Sequence, residues 1–504
     1  GSADQATLTC NASTVSLGSG RTSSYGLIVN QGGTFVGGSG NHTIGSIETK
    51  NNSNAKCTLT SGVTTIDSEN TSDNFALSIE AASTFDDGNG TVTFTIGDST
   101  RIRTNTKPLY NVIVNNANAS IEYVGDQTID NDLTVTAGKF RYNSFEDLTV
   151  TGDVSVTGIL GHPNVATTSD STFGSLTINS GGEYKAPSGT TTITSMTSTG
   201  SGDRSLNNKS GGTFTNNDGT VLFNSSSDQR MEMAGTGNVH NLTINKSDND
   251  LVTFGNLTIE GDLSITTDTT HTMRPNNASE TLTVTGDVTI VEGKLGDVTN
   301  YTGAISFGSL EIQSGGEYIA TSGTTTITTG GTIGGTTNTA FGGEGTFTHN
   351  NGTLVLDSVL HRIPKGGTFY NLKLTGSQST GGIYLYGDTM LPQGIMPDGT
   401  TGSAYFSVLG TLEITEDEFR PYNADKVYIH NLVIGDGTGS ANSAKFDFAE
   451  VDEFDGKVFV DNVTIHSDGQ LLFGDGNETS ATEGSSALNI YGAFRNLGGN
   501  VTIE

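Results

Sequence analysis

The sequence predicts an all-β chain: a single-chain parallel β-solenoid (β-helix) built from three tandem modules of about 134–153 residues, with very little helix. Three observations carry this prediction. First, one set of landmarks recurs along the chain in constant order, and internal repeats of this length mark stacked architectures. Second, the recurring segments read Leu-Thr-Ile or Leu-Thr-Val, with apolar residues two apart around a polar one, which is the period of a half-buried strand. Third, Gly-Gly, Asp-Gly and Asn-Gly pairs punctuate these segments, and no long stretch of 3.6-residue period with helix caps is found.

Taken in chain order, residues 1–26 read as an N-terminal cap. Module 1 (27–175) opens on Leu27-Ile-Val-Asn-Gln-Gly-Gly-Thr-Phe35. Module 2 (176–309) opens on Leu176-Thr-Ile-Asn-Ser-Gly-Gly-Glu-Tyr184, and module 3 (310–462) on Leu310-Glu-Ile-Gln-Ser-Gly-Gly-Glu-Tyr318, an offset of 134. Both of these run into Ser-Gly-Thr-Thr-Thr-Ile-Thr, at Ser188 to Thr194 and Ser322 to Thr328. Leu148-Thr-Val-Thr-Gly-Asp-Val154 and Leu282-Thr-Val-Thr-Gly-Asp-Val288 share the offset. Within the modules, Thr84-Phe85, Thr213-Phe214 and Thr346-Phe347 lead through a turn into Thr91-Val-Thr-Phe94, Thr220-Val-Leu-Phe223 and Thr353-Leu-Val-Leu356. Arg141, Arg274 and Arg420 then stand at matching points. Residues 463–504, from Val463-Thr-Ile-His-Ser-Asp-Gly469, read as a partial fourth module or C-terminal end.

Landmark strands often stand about 15 to 25 residues apart, which suits one coil of a solenoid. At about 22 residues per coil the chain would make about 23 coils, a rod on the order of 110 Å. Tandem immunoglobulin-like domains fit less well, because Trp is absent and the period is too long. Propeller blades of about 40 to 45 residues fit a 134-residue period only with strain.

Composition excludes several functions. Lys plus Arg is 23 against 54 Asp plus Glu, a net charge of −31, so the chain lacks the basic footprint of a double-stranded nucleic-acid binder. No apolar run approaches the ~20 residues of a membrane span, and no membrane insertion is expected. The 69 glycines follow no three-residue repeat, which excludes collagen. The acidity suits solvation and a cation-rich environment. No charged-then-apolar leader opens the chain, so a signal peptide reads as absent or removed.

Motifs of chemistry are scarce. The eight histidines show no zinc-ligand spacing, and neither a Gly-x-Ser-x-Gly elbow nor a P-loop is present. The adjacent acids Asp86-Asp87 and Glu416-Asp417-Glu418 do not by themselves supply the opposed carboxylates of glycoside hydrolysis. An active site is normally built once. The arginine sets Arg101, Arg230, Arg362 and Arg141, Arg274, Arg420 recur in every module, and so read as structural partners of carboxylates or turn carbonyls. Asn111, Asn241 and Asn371 read likewise as a turn or side-chain ladder. No catalytic residue and no cofactor are assigned, and the chain is expected not to be an enzyme. Calcium is the one ion left open, with Asp86, Asp87, Asp436 and Asp475 in acid-rich turns as candidate oxygen ligands, although none of these turns matches an EF-hand or a calcium-binding β-roll repeat. Cys10 and Cys57 are either a disulfide stapling the N-terminal end or two buried free thiols.

The phrases Leu-Thr-Val-Thr-Gly-Asp-Val and Ser-Leu-Thr-Ile-Asn-Ser-Gly-Gly-Glu-Tyr, followed by Ser-Gly-Thr-Thr-Thr-Ile-Thr, resemble repeat-rich β-solenoid structural proteins of bacteriophages, marine ones especially. Similar strings occur in large secreted adhesin-like repeat proteins. The resemblance covers most of the chain and is architectural, carrying no catalytic residue. It implies a non-enzymatic structural or adhesive rod: a phage virion fibre, spike or decoration protein, or alternatively a cellular extracellular adhesin, surface-layer or filament subunit. A polysaccharide-degrading β-helix enzyme is the third reading. The implied location is the virion surface or the cell exterior. The implied partners are copies of itself, other virion or surface proteins, and cell-surface glycans.

Overall fold

A computed structural model describes residues 6–18, 26–70, 73–142, 145–161, 168–197, 203–297, 301–333, 336–339, 341–357, 362–363, 368–375, 383–385, 405–415, 418–420, 426–439, 444–447, 457–473 and 487–503. Among these residues there are fifty β-strands and no helix, so the protein is all-β. Pairing is parallel almost throughout. The exceptions are the hairpin of Gly331–Ile333 with Thr336–Thr339 and a single antiparallel bridge between Asn70 and Phe75.

The chain divides into two compact units, Gly1–Leu251 and Val252–Glu504. The division falls inside the segment 176–309 that the repeat delimits. In the first unit, each strand pairs in register with strands earlier and later in the chain. Thr91–Phe94 lies between Val63–Ile66 and the start of Asn111–Tyr123. The register runs on as a column: Val112 opposite Leu133, then Val154, Leu176, Leu206 and Met231. Every member of this column is 1% exposed or less. The Leu-Thr-Ile period explains it. The residues flanking each Thr point inward and stack on their equivalents one strand spacing (about 4.8 Å) away, while the Thr points out. A second column runs Phe140, Leu160, Tyr184, Phe214, with the rings of Tyr184 and Phe214 5.7 Å apart.

The second unit follows the same rule. Leu263, Val288, Leu310 and Phe341 form one column, and Leu354, Leu372, Leu412, Leu432 and Val463 another, all nearly or wholly buried. Met273, Leu295, Tyr318 and Phe347 repeat the aromatic column. The expected landmark strands are therefore strands: Leu27, Leu176, Leu310 and Val463 lie in Leu27–Val29, Ser171–Ile178, Ile305–Ile319 and Lys457–Ile465.

Turns are tied to one another by Asp and Asn side chains. The Oδ1 of Asp126 accepts from Asp147 N, that of Asp147 from Asp170 N, and that of Asp170 from Thr190 N, at 2.7–3.1 Å. A parallel series starts at the expected Asn111, whose Oδ1 accepts from Asp132 N (3.1 Å). Asp132 then accepts from Asp153 N (2.8 Å), and Asp153 from the Ser175 hydroxyl (2.7 Å). Asn371 does the same for Thr411 N in the second unit. A carboxylate that accepts a backbone N–H gives a partner to a donor that the strand ladder does not pair. Much of the acidity is thus built into the turns and needs no matching lysine.

The two cysteines are free, buried thiols rather than a disulfide. Register gives the reason. Leu8 pairs with Phe35 and Phe35 with Cys57, so Leu8 lies two strand spacings (about 9.6 Å) from Cys57, and Cys10 is two residues further along. A disulfide needs Cα atoms closer than about 7 Å. Burial and the charge of Asp86 push the Cys57 thiol up to about 12.

Candidate functional site: a polar groove on the first unit

Four successive strands of the first unit set Ser155, Thr177, Asn207 and Glu232 in one register row, all half-buried on the outer face. Along this row runs a groove of about 700 Å³. Its lining also includes Asn179, Lys209, Ser210, Asp153, Thr197, Asp203 and Arg204. Among the described residues, the lining holds no large apolar side chain besides Val154.

Its polar groups are fixed by one another. Arg204 Nε lies 3.0 Å from Glu232 Oε2. Lys209 Nζ donates to Asn179 Oδ1 (2.9 Å), and Asn179 Nδ2 in turn donates to Ser155 Oγ (3.0 Å). Asp153 accepts from Ser175. Asn207 is different: its Oδ1 is buried and has no hydrogen-bond partner among the described residues. Such an acceptor is costly to leave unmatched.

The groove is also where the internal repeat breaks. By register, Thr177–Asn207 in the first unit corresponds to Glu311–Gly342 in the second. Asn207-Asn-Lys-Ser-Gly-Gly212 thus stands where the second unit has Gly342-Gly-Glu-Gly345. Several scaffold contacts just before it match, among them the bonds of Tyr184 to Thr191 and of Tyr318 to Thr325. Single-sequence motifs could not show the groove, because its residues come from strands 20 to 30 positions apart. Comparing the two repeat copies for positions that differ on an outward row would have found it.

The described residues singled out in the sequence are not among those lining this groove. Asp86 and Asp87 each close their own turn, accepting from Gly88 N and Asn89 N at 2.9 Å. Burial, then the charges of Asp130 and Asp86, raises the Asp87 carboxyl. Asp436 accepts from both the N–H and the hydroxyl of Thr438. Asp475 lies outside the described residues. Among the described residues no group of three or more His, Cys, Asp or Glu is placed to hold a metal ion. Three of the arginines have scaffold partners: Arg141 faces Glu122 (3.7 Å), Arg274 faces Asp297 (3.8 Å), and Arg101 donates to the Asp73 carbonyl (2.6 Å) while covering the Phe75 ring. The side chains of Arg362 and Arg420 lie outside the described set. His42 is buried, with Nε2 2.7 Å from the Gly37 carbonyl, and His430 faces Asp461 at 2.7 Å.

The class defined by fold and groove is an all-β, parallel-stranded protein with a polar outer cleft. No family model, curated protein or solved structure matches the chain.

Proposed function

We propose that each unit is a length of parallel β-solenoid, grown from three ancestral modules, and that the protein is a non-enzymatic structural or adhesive element of a virion or an extracellular surface. The observation that carries this reading is the unbroken register of buried columns such as Val112–Leu133–Val154–Leu176–Leu206–Met231. A chain wound coil over coil repeats one inward pattern per coil and needs no separate core for each module. Its outer rows are then free to carry Thr, Ser and Asn, which suit β geometry and discourage edge-to-edge aggregation.

In this role stiffness comes from the stacked backbone pairing and from the Asp/Asn bonds that link each turn to the next. Contacts to copies of itself, to other surface proteins or to cell-surface glycans would be individually weak and gain strength by number. Immunogold electron microscopy of the native particles tests the reading. Label on fibres, spikes or the outer surface is expected, and label confined to the cell interior would overturn it.

A further inference from the structure

We infer that the outer row Tyr370, Leu409, His430, Asp461 and Tyr491 of the second unit binds a neutral saccharide chain by ring stacking. This deepens the adhesive reading above and rests on it for its context, but is tested separately.

Register brings these residues together. Phe369 pairs with Val408, Val408 with Ile429, Ile429 with Val460 and Val460 with Ile490. The residue that follows each of these is a member of the row, so the five lie one strand step of about 4.8 Å apart. Phe369, Val408, Ile429 and Val460 are wholly buried, and alternation turns the row itself outward. Tyr370, Leu409 and Tyr491 are accordingly 37%, 45% and 52% exposed. The first unit differs at this corner. Tyr110 precedes Asn111 there as Tyr370 precedes Asn371, but the next residues before the turn ladder are Asn131 and Gly152, which carry no ring.

The two tyrosines are braced. Tyr370 stacks on His349 with ring centroids 5.9 Å apart, and Tyr491 on Phe459 with centroids 6.2 Å apart and planes within 12°. One face of each ring is held by a neighbour, so little side-chain freedom is lost when a ligand covers the other. Between them, Asp461 Oδ2 accepts from the Tyr428 hydroxyl at 2.9 Å and lies 2.7 Å from His430 Nδ1. Burial and Asp461 push the Tyr428 hydroxyl up to about 12, so it stays a donor. His430 Nε2 and Asp461 Oδ1 are left for hydroxyls, each of which both donates and accepts.

The other ligand classes fit less well. A nucleic-acid base can stack on the same rings, but its phosphates would meet a chain of net charge −31. Three apolar side chains fall short of the core of a protein contact, which takes about 800 Å² from each partner. A quaternary ammonium needs rings closed around it, and these tyrosines are four strand steps apart, about 19 Å. A pyranose is about as long as one strand step. A chain of them can lay apolar ring faces on Tyr370 and Tyr491 while the hydroxyls between reach His430 and Asp461.

Titration of the full chain with neutral hexasaccharides (of β-linked glucose, of N-acetylglucosamine and of mannose) and with oligogalacturonate tests this, read by isothermal calorimetry. At least one neutral probe should bind at millimolar concentration or better, and more tightly than oligogalacturonate. Tyr370→Ala and Tyr491→Ala should each weaken binding at least about threefold, and the double variant at least about tenfold. Tyr370→Phe and Tyr491→Phe keep the rings and should stay within about twofold of wild type. Tyr110→Ala, at the same corner of the first unit, should leave the affinity unchanged. Circular dichroism checks that each variant keeps the native strand signal, and if one alanine variant loses it, the other decides against its phenylalanine counterpart. Absence of binding by every neutral probe, tighter binding of oligogalacturonate, full affinity in the folded alanine variants, or phenylalanine variants as weak as the alanine ones would each overturn the inference. So would sedimentation showing that the chain self-associates through Tyr370 and Tyr491 while no probe binds, which would make the row a contact between copies. None of these results bears on where the protein sits, so the microscopy above can fail or succeed independently.

Discussion

Two windows of the molecule share their sequence landmarks, residues 148–194 in the first unit and 282–328 in the second, and several of their described contacts match. The Tyr184 hydroxyl meets Thr191 Oγ1 at 2.8 Å and the Tyr318 hydroxyl meets Thr325 Oγ1 at 2.7 Å. Phe173 packs edge-on to Tyr184 at 5.7 Å and Phe307 to Tyr318 at 5.5 Å. Asp153 accepts from the Ser175 hydroxyl as Asp287 does from Ser309, at 2.7 and 2.6 Å. Immediately downstream the copies part, the first building a groove with Asn207 and Lys209, the second replacing both. Interior contacts were copied with the sequence because a buried ring or a turn carboxylate has one workable arrangement, whereas the outer row was free to change.

The largest effect that would break this equivalence is truncation of the paired tyrosines. Tyr184 and Tyr318 are both fully buried, so Tyr184→Ala and Tyr318→Ala should each cost about 3–5 kcal/mol. Chemical denaturation of the two variants measures it. Losses that agree within about 1 kcal/mol support one shared packing solution; a cheap substitution on one side only would mean that the two interiors differ.

The same comparison shows what the sequence could and could not reveal. Leu176, Leu310 and the other Leu-Thr-Ile landmarks are strands as their period implied, since alternation is a local property. The strand ends were not legible. Ser180-Gly-Gly182 separates Ser171–Ile178 from Glu183–Lys185, with Gly181 at φ +83° and its N–H bonded to the Gly211 carbonyl. The same Ser-Gly-Gly at 314–316 lies inside one continuous strand, Ile305–Ile319, because Gly315 and Gly316 pair with Glu292 and Gly293. The neighbouring strand decides, and it is distant in sequence. The groove escaped for a related reason: its outward row exists only once register is known, and Asp86, Asp87 and Asp436 drew attention by adjacency along the chain. The cysteine pair was left open for the same want of register.

Buried charges differ between the units and should separate them by pH. In the first unit Lys246 is 2% exposed and donates to the carbonyls of Ser225 and Ser227 and to Gln229 Oε1. Burial lowers its pKa to about 8, against the pull of Asp228, Asp250 and Asp248. The native chain therefore releases this proton before the unfolded chain does, and Lys246 makes stability rise between pH 8 and its unfolded value of about 10.4. In the second unit Asp468 is wholly buried; burial alone would raise its carboxyl, but the N–H groups of Gly437, Gly439 and Asp436 outweigh it and hold it below the ordinary range. Its contribution is present above about pH 4 and lost as pH falls through the lower folded value. Denaturation midpoints across pH should show the stability gap between wild type and Lys246→Met widening from pH 8 to 10. The gap between wild type and Asp468→Asn should close towards pH 3. A gap that stays constant in either series would contradict the assignment.

A smaller effect sharpens the comparison at the turns. Asp153→Ala and Asp287→Ala each remove the acceptor of a buried serine hydroxyl, Ser175 or Ser309, and should cost about 1–2 kcal/mol apiece. The two losses should match, since the backbone N–H of each residue donates to a carboxylate of the turn before it, Asp132 or Asp262, at 2.8 Å. A large loss in the first unit alone would show that Asp153, which also lines the groove, is more than a copy of Asp287.

The smallest expected effect isolates a single oxygen. Tyr184→Phe and Tyr318→Phe keep the ring and its packing and delete only the hydroxyl bonded to Thr191 or Thr325. Both threonines are 1% exposed, so neither can turn to bulk solvent for a replacement. The cost should be about 0.5–1.5 kcal/mol in each unit, well below that of truncation to Ala. The double variants Tyr184→Phe/Thr191→Val and Tyr318→Phe/Thr325→Val remove both polar partners and should recover part of that loss, less so in the first unit, where the buried Ser171 also bonds the Tyr184 hydroxyl. Recovery in both units would show that the copied contact is a closed pair. Recovery in one unit only would place a further partner on the other threonine and end the atom-for-atom equivalence.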